Sequence, residues 1–231
     1  MNQDEMKRAA ANYAAEKFVT SDMFLGLGSG STAEMFLAIV ADKVKAGELS
    51  GLTCVATSER VGGLAHDYGL KVVELGQVEY LDVTVDGADE VDPQTFNVVK
   101  GRGAAFLREK LVAVASKLEV IIADETKLVK SLGEKMPIPV EVIPFGWQQT
   151  AARLQKLGCT PILRLKDGQT FQTDSLNYIL DCQFPPLPDP TQTAQQIKAE
   201  VGVVEHGLFI GIARRVVMAG AQGAYELPRV G

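Results

Sequence analysis

The chain has 231 residues, of which 46% are hydrophobic and 23% charged, and it carries a formal net charge of −6. That length exceeds the usual single-domain mode and assures a sizeable core, so a large domain with a smaller companion is expected. No apolar run approaches the ~20 residues needed to cross a bilayer, and an acidic balance without a Lys/Arg cluster excludes a surface built for nucleic-acid backbones.

The N-terminus, MNQDEMKRAA, lacks the charged-then-apolar order of a secretory signal, which makes a cytoplasmic location the expectation. Met6, Ala10, Tyr13, Ala14 and Phe18 then recur at helical spacing and predict a helix over Gln3 to Phe18. Lys7 lies off that stripe and reads as a solvated lysine. Met23 to Leu27 form a short apolar strand, with Gly26, Gly28 and Gly30 alternating through its end. A dinucleotide fingerprint would need glycine where Ser31 stands, and a phosphate loop of the GxxxxGK[ST] type would need a lysine that is absent. The turn does fit a strand, a tight bend and a helix opening at Ser31 or Thr32, with Ala33 to Val44 behind it. A first helical turn has unsatisfied N–H groups and a positive dipole end, so Ser29, Gly30, Ser31 and Thr32 are candidates to hold a phosphate monoester. The alternative is plain capping, because Ser31 and Glu34 match the S-x-x-E capping box.

Leu52 to Ala56 make the next strand, running into Thr57, Ser58, Glu59 and Arg60, and Val61 to Tyr68 read as a helix stopped by Gly69. Lys71 to Leu75 suggest another strand, and Leu81 to Val85 carry the β-branched alternation of one more. The latter runs into Asp86, Gly87, Ala88, Asp89 and Glu90, where carboxylates crowd a single turn. Phe96 to Val99 look like a short strand with Lys100 at its end, and Gly101, Arg102 and Gly103 lead into a predicted helix from Ala104 to Lys117 that carries Glu109. Carboxylates kept together repel unless a cation, a substrate or water relieves them. With an ammonium group and bare backbone amides nearby, the set suits proton transfer next to a carbonyl. A carboxylate takes the proton while the ammonium group and the amides hold the developing enediolate oxygen. Spacing alone does not single out Glu109 from Glu90.

Val120 to Ala123 form a further strand, ending at Asp124, Glu125, Thr126 and Lys127. Strands alternating with helices imply a parallel sheet, whose ligands sit beyond the strands' carboxyl ends. On that reading Ser29, Ser58, Asp86, Lys100 and Lys127 converge on one rim. From Gly133 prolines punctuate the chain, and a second pattern follows: a helix from Trp147 to Leu157, strands at Pro161 to Leu165, Phe171 and Tyr178 to Cys182, and a helix from Thr191 to Val201. This order resembles a split βαβ sandwich. Leu208 to Leu227 are expected to rejoin the first sheet. The fold class is therefore α/β: a Rossmann-like parallel-sheet domain over 1–132 and 207–231, and a smaller α+β, ferredoxin-like domain over 133–206. Cys54, Cys159 and Cys182 are odd in number and widely spaced in apolar or strand-like segments, so they read as core thiols. With His66 and His206 the only histidines, a multi-histidine metal site is excluded and acid-base chemistry falls to carboxylates.

Taken in order, GSGSTA (28–33), TSER (57–60), DGADE (86–90), KGRGAA (100–105) with REK (108–110), ADETK (123–127), PVEVIP (139–144) and VVEHGLF (203–209) resemble the type A ribose-5-phosphate isomerase family. The resemblance implies an aldose-ketose isomerase of the pentose phosphate pathway that needs no metal or other cofactor, acts on a small sugar phosphate and forms a homodimer. It also implies that Glu109 shuttles a proton between C2 and C1. Asp86 and Asp89 would contact sugar hydroxyls and assist ring opening, with Gly87 and Ala88 between them at the substrate. Lys100 and the amides of Gly101, Arg102 and Gly103 would stabilise the enediolate oxygen. Ser29, Gly30, Ser31 and Thr32 would hold the phosphate, helped by Lys127 and Lys7. The chain departs from the family pattern at Arg102, where glycine is expected. A positive φ there would strain the loop by about 1 kcal/mol; otherwise the side chain reaches substrate oxygens or solvent. Other readings on a similar layout are a sugar-phosphate sensor without a base, an acyl-CoA transferase and a deaminating sugar-phosphate isomerase.

Overall fold

The first helix, α1 (Gln3–Phe18), is closed at its start by a reciprocal pair of hydrogen bonds between Asn2 and Glu5. Ala10, Ala11, Ala14 and Ala15 form its buried face, and these small side chains let the helix pack closely on its neighbours. The computed structural model describes residues 1–229, and the chain divides into two compact units.

The first unit comprises Met1–Ala88, Arg108–Lys127 and the chain from Gly211 onward. Its strands are β1 (Phe24–Leu27), β2 (Thr53–Ala56), β3 (Val83–Gly87), β6 (Glu119–Asp124), β14 (Arg215–Gly220) and β15 (Gly223–Glu226). They form one six-stranded sheet in the order β15-β14-β6-β3-β1-β2. Every neighbouring pair from β14 to β2 is parallel, and β15 returns antiparallel as a hairpin on β14. All six residues of β6 are buried, as expected for a parallel strand covered on both faces. Helices α2 (Ser31–Lys45) and α3 (Glu59–Asp67) follow β1 and β2. Phe36, Leu37 and Val40 of α2 and Val61 and Ala65 of α3 join the same core as α1. This is the α/β, mainly parallel architecture expected from the sequence.

Several local expectations are corrected. Residues 71–75 form no strand: Val72 makes a single parallel bridge to Cys54, and Leu75–Gln77 turn into a short 3-10 helix. Ser31 does not cap α2. The N-cap is Gly30 at φ 103, no side chain caps the helix, and Glu34 instead pairs with Arg60. Helix α4 spans Phe106–Val114, shorter than Ala104 to Lys117, because Ala104 sits at φ 64 and cannot start a helix. It carries the chain from the second unit into the first.

The second unit comprises Asp89–Leu107 and Leu128–Ile210. Strand β7 (Ile138–Val142), α5 (Trp147–Gln155), β8 (Thr160–Leu163), β11 (Tyr178–Gln183), α6 (Pro190–Ala199) and β12 (Val203–His206) follow one another along the chain. The sheet order β12-β7-β11-β8 is antiparallel throughout, the split βαβ arrangement read from the sequence. A small hairpin, β9 (Leu165–Lys166) and β10 (Gln169–Thr170), lies between β8 and β11 in sequence. Strands β4 (Glu90–Val91), β5 (Val98–Val99) and β13 (Leu208–Phe209) make a separate antiparallel sheet in the order β13-β5-β4. Residues 89–107, placed with the large domain in the sequence reading, thus belong to the second unit by compactness.

Candidate active site

In the first unit the site begins where β1 and β3 end side by side. Gly28 donates its N–H to Val85 O at 3.0 Å, and a methyl group at Gly28 would lie 2.5 Å from Asp86 Cα. Only glycine permits that approach. Asp86 is 1% exposed, and its Oδ1 accepts from Ser29 N at 3.1 Å and Gly87 N at 2.7 Å. The carboxylate thereby ties the serine turn to the end of β3. Ser29 Oγ lies 2.8 Å from both Thr57 Oγ1 and Ser58 Oγ, Thr57 Oγ1 donates to Leu27 O, and Ser58 Oγ caps α3 by accepting from Val61 N. This hydroxyl chain joins the ends of β1 and β2. Thr57 was not among the predicted site residues and Ser58 was placed only on the ligand-facing rim, although TSER at a strand end was the available signal.

Gly30 leads directly into α2, whose first-turn amides at Ser31, Thr32 and Ala33 have no side-chain cap. Glu34 N already bonds Gly30 O. The serine-threonine turn therefore offers amides and hydroxyls at a helix N-terminus, the arrangement that holds anions. Glu109 lies in the first turn of α4 and is buried, 4% exposed. Lys127 ends the short turn Glu125–Lys127 after β6 and is half-buried. Lys7 lies on α1 with its ammonium 3.4 Å from Asp4 Oδ1.

In the second unit Lys100 is buried, its N–H donating to Gly207 O at 2.9 Å and its ammonium 5.6 Å from the centre of the Phe209 ring. A methyl at Gly207 would lie 2.1 Å from Lys100 O, so the VVEHGLF glycine is required by the backbone beside Lys100. Lys100 follows β5 of the three-stranded sheet and not a strand of the parallel sheet. Asp89 donates N–H to Val99 O, and its Oδ2 accepts from Arg102 N at 2.9 Å. Gly101 adopts φ 118, where glycine is at home, and Gly103 follows in the same exposed turn as Arg102. Arg102 itself lies outside the left-handed region, so the strain considered for it does not arise, and its side chain is exposed.

The two Glu90 oxygens accept from three backbone amides, Gly133, Lys135 and Met136, at 2.6, 2.6 and 2.8 Å. That carboxylate is committed to pinning the 133–136 loop. Among the described residues no three His, Cys, Asp or Glu side chains cluster as a metal site would require.

The model of the ribose 5-phosphate isomerase A (phosphoriboisomerase A) family matches residues 53–223. The chain belongs to that family. It is 46% identical to ribose-5-phosphate isomerase A of Synechococcus sp. (strain JA-3-3Ab) over 225 residues, covering 97% of each chain. It is 41% identical to the Pyrococcus abyssi (strain GE5 / Orsay) enzyme of the same name, covering 99% of this chain and all of the other. A solved D-ribose-5-phosphate isomerase in complex with phospho-erythronic acid is similar at TM-score 0.95 and 38% identity, covering 99% of this chain and 100% of that one. Ribose 5-phosphate isomerase from Plasmodium falciparum is similar at TM-score 0.94 and 36% identity, covering 99% and 100%. The family interconverts ribose 5-phosphate and ribulose 5-phosphate, and this chain is an aldose-ketose isomerase of that reaction. Its substrate is a sugar phosphate, and among the described residues no helix is long and apolar enough to cross a membrane.

Proposed function

We propose that Glu109 is the base that takes the C2 proton of ribose 5-phosphate and returns it to C1, through an enediolate. The observation that carries this reading concerns the other glutamate the sequence left open: Glu90 spends both carboxylate oxygens on three backbone amides of the 133–136 loop. Glu109 is a buried carboxylate, 4% exposed, in the first turn of α4. A carboxylate held next to the reacting carbon is the group that such a proton transfer calls for. Ser29, Gly30, Ser31 and Thr32 hold the phosphate with Lys127 and Lys7. Asp86 and Asp89, with Gly87 and Ala88 between them, engage the sugar hydroxyls and assist ring opening. Lys100 and the amides of Gly101, Arg102 and Gly103 meet the oxygen on which charge develops. The phospho-erythronic acid carried by the similar solved isomerase supports a phosphorylated acyclic ligand at these residues.

The test is Glu109→Gln assayed with ribose 5-phosphate in deuterated water. Turnover and solvent deuterium in the product fall by about 10²- to 10⁴-fold, the contribution of a positioned base, while phospho-erythronic acid still binds. Turnover within about tenfold of the parent would dismiss Glu109 as the base. The reading also takes the protein as a cytoplasmic homodimer. Phe145, 90% exposed, and Val201, 78% exposed, supply apolar surface for a second copy, and sedimentation of the parent and Phe145→Ser checks the association.

A further inference from the structure

Arg164 lies between β8 and β9 in the second unit, and its guanidinium faces two ways. Nε and Nη2 grip the Asp181 carboxylate of β11, with Nε 2.9 Å from Oδ2. Nη1 donates to the carbonyl of Gly101 at 2.8 Å and reaches that of Arg102 at 3.4 Å. The two side chains are only 17% and 21% exposed, so the pair is largely withdrawn from water. Its geometry is set by the sheet. Asp181 stands opposite Ile162 on β8, and Arg164 N donates to Ile179 O, which places the two side chains diagonally across neighbouring strands.

The peptide joining Gly101 to Arg102 is therefore held at both ends. Its carbonyl accepts from Arg164, and its N–H donates to Asp89 Oδ2 at 2.9 Å. Gly101, at φ 118, has no Cβ to resist rotation of that plane. Turned over, the peptide would aim a carbonyl oxygen at the Asp89 carboxylate, and the guanidinium on the far side opposes this. Lys100 precedes the same peptide and is fixed on its other side by Gly207 O. A planar fork that grips a carboxylate with one edge and a carbonyl with its remaining nitrogen is a task an ammonium group cannot copy.

We propose that Arg164, oriented by Asp181, is a positioning residue for the isomerisation: it locks the Gly101–Arg102 peptide and thereby the Asp89 carboxylate and the start of the Lys100 loop. The inference rests on the roles proposed above for Asp89 and Lys100. A misplacement near 1 Å in catalytic groups costs about 10²-fold. Arg164→Met is thus expected to lower kcat by about 10- to 100-fold. KM for ribose 5-phosphate stays within about threefold, because the phosphate is held by residues 29–32.

Arg164→Met leaves Asp181 without its cation and is open to misfolding, so Arg164→Met/Asp181→Leu, which removes both charges, is assayed beside it. Both lose kcat alike, Arg164→Lys recovers little, and methylguanidinium restores part of the kcat of Arg164→Ala. A double variant with kcat within about twofold of the parent would overturn the proposal. So would a loss confined to the melting temperature. Lys100→Ala is the control: full turnover there refutes the reading of the site itself, whereas loss there with intact turnover in the double variant refutes Arg164 alone.

Discussion

Gly28→Ala tests whether the closeness of β1 and β3 is what sets the Asp86 carboxylate. The added methyl would lie 2.3 Å from Asp86 Oδ1, 2.4 Å from its Cγ and 2.5 Å from its Cα. Carbon atoms rest at about 3.5–4.0 Å, so the strand ends must part by about 1 Å, and the nearest backbone atom cannot swing aside as a side chain would. Gly28 has no left-handed φ, which leaves sterics as the whole effect. Overpacking of this kind costs about 1–3 kcal/mol, which for a chain of this size lowers Tm by about 2–12 °C. The same shift separates Ser29 N from Asp86 Oδ1, now 3.1 Å apart, and loosens the serine-threonine turn from β3. The expected loss in kcat/KM is about 10²-fold. Steady-state kinetics with ribose 5-phosphate and thermal unfolding of the same preparation give both numbers. A variant with parental kcat/KM and Tm would show that the strand ends yield without moving Asp86, and the account of this turn would be wrong.

Glu90→Gln replaces a buried carboxylate that accepts from three backbone amides with a group that itself donates, so a stability loss of about 1–3 kcal/mol in urea titrations is expected, with kcat within a few-fold of the parent. Gly63 lies in α3 at ordinary φ with nothing within 4 Å of an added methyl, so Gly63→Ala should raise stability by about 0.4–1 kcal/mol in the same titration. Burial pushes the Cys54 thiol from its ordinary 9.0 up to about 12. Above pH 9 the unfolded thiol ionises while the folded one keeps its proton, so Cys54 favours unfolding increasingly between pH 9 and about 12. Cys54→Ala should flatten the loss of stability over that range by about 1 kcal/mol at pH 10, measured by denaturation at each pH.

The elements legible in the sequence were those with a long period or a strong interruption. Alanines and aromatics at helical spacing marked α1 to the residue, and the glycines at 26, 28 and 30 marked the turn after β1. The split βαβ order survived because each of its strands buries a face against α5 or α6 in one core. What escaped had little local pattern. Strands β4 and β13 are two residues each, too short for alternation to register, and the short strand read at Phe96 to Val99 gave no sign that it pairs with them in a separate antiparallel sheet. The Ser31–Glu34 spacing matched a capping box, but Arg60, distant in sequence, takes the Glu34 carboxylate. The role of Glu90 in pinning a loop depends on the amides of Gly133, Lys135 and Met136, more than 40 residues further on. Arg164 gave no signal, because a single arginine between strands carries no spacing that points to Gly101.

The chain crosses between its units four times, leaving the first at residue 88, returning at 108, leaving again at 127 and returning at 211. During synthesis β6 therefore emerges long before its neighbour β14, whose pairing begins at Arg215. Until then one margin of the sheet is open, and α1 lacks the surfaces of β14 and β15 against which it finally packs. An unfinished strand margin invites pairing with other nascent chains. Ribosomal release just short of residue 215 should yield an aggregating fragment, whereas the last two strands complete both the sheet and its solubility.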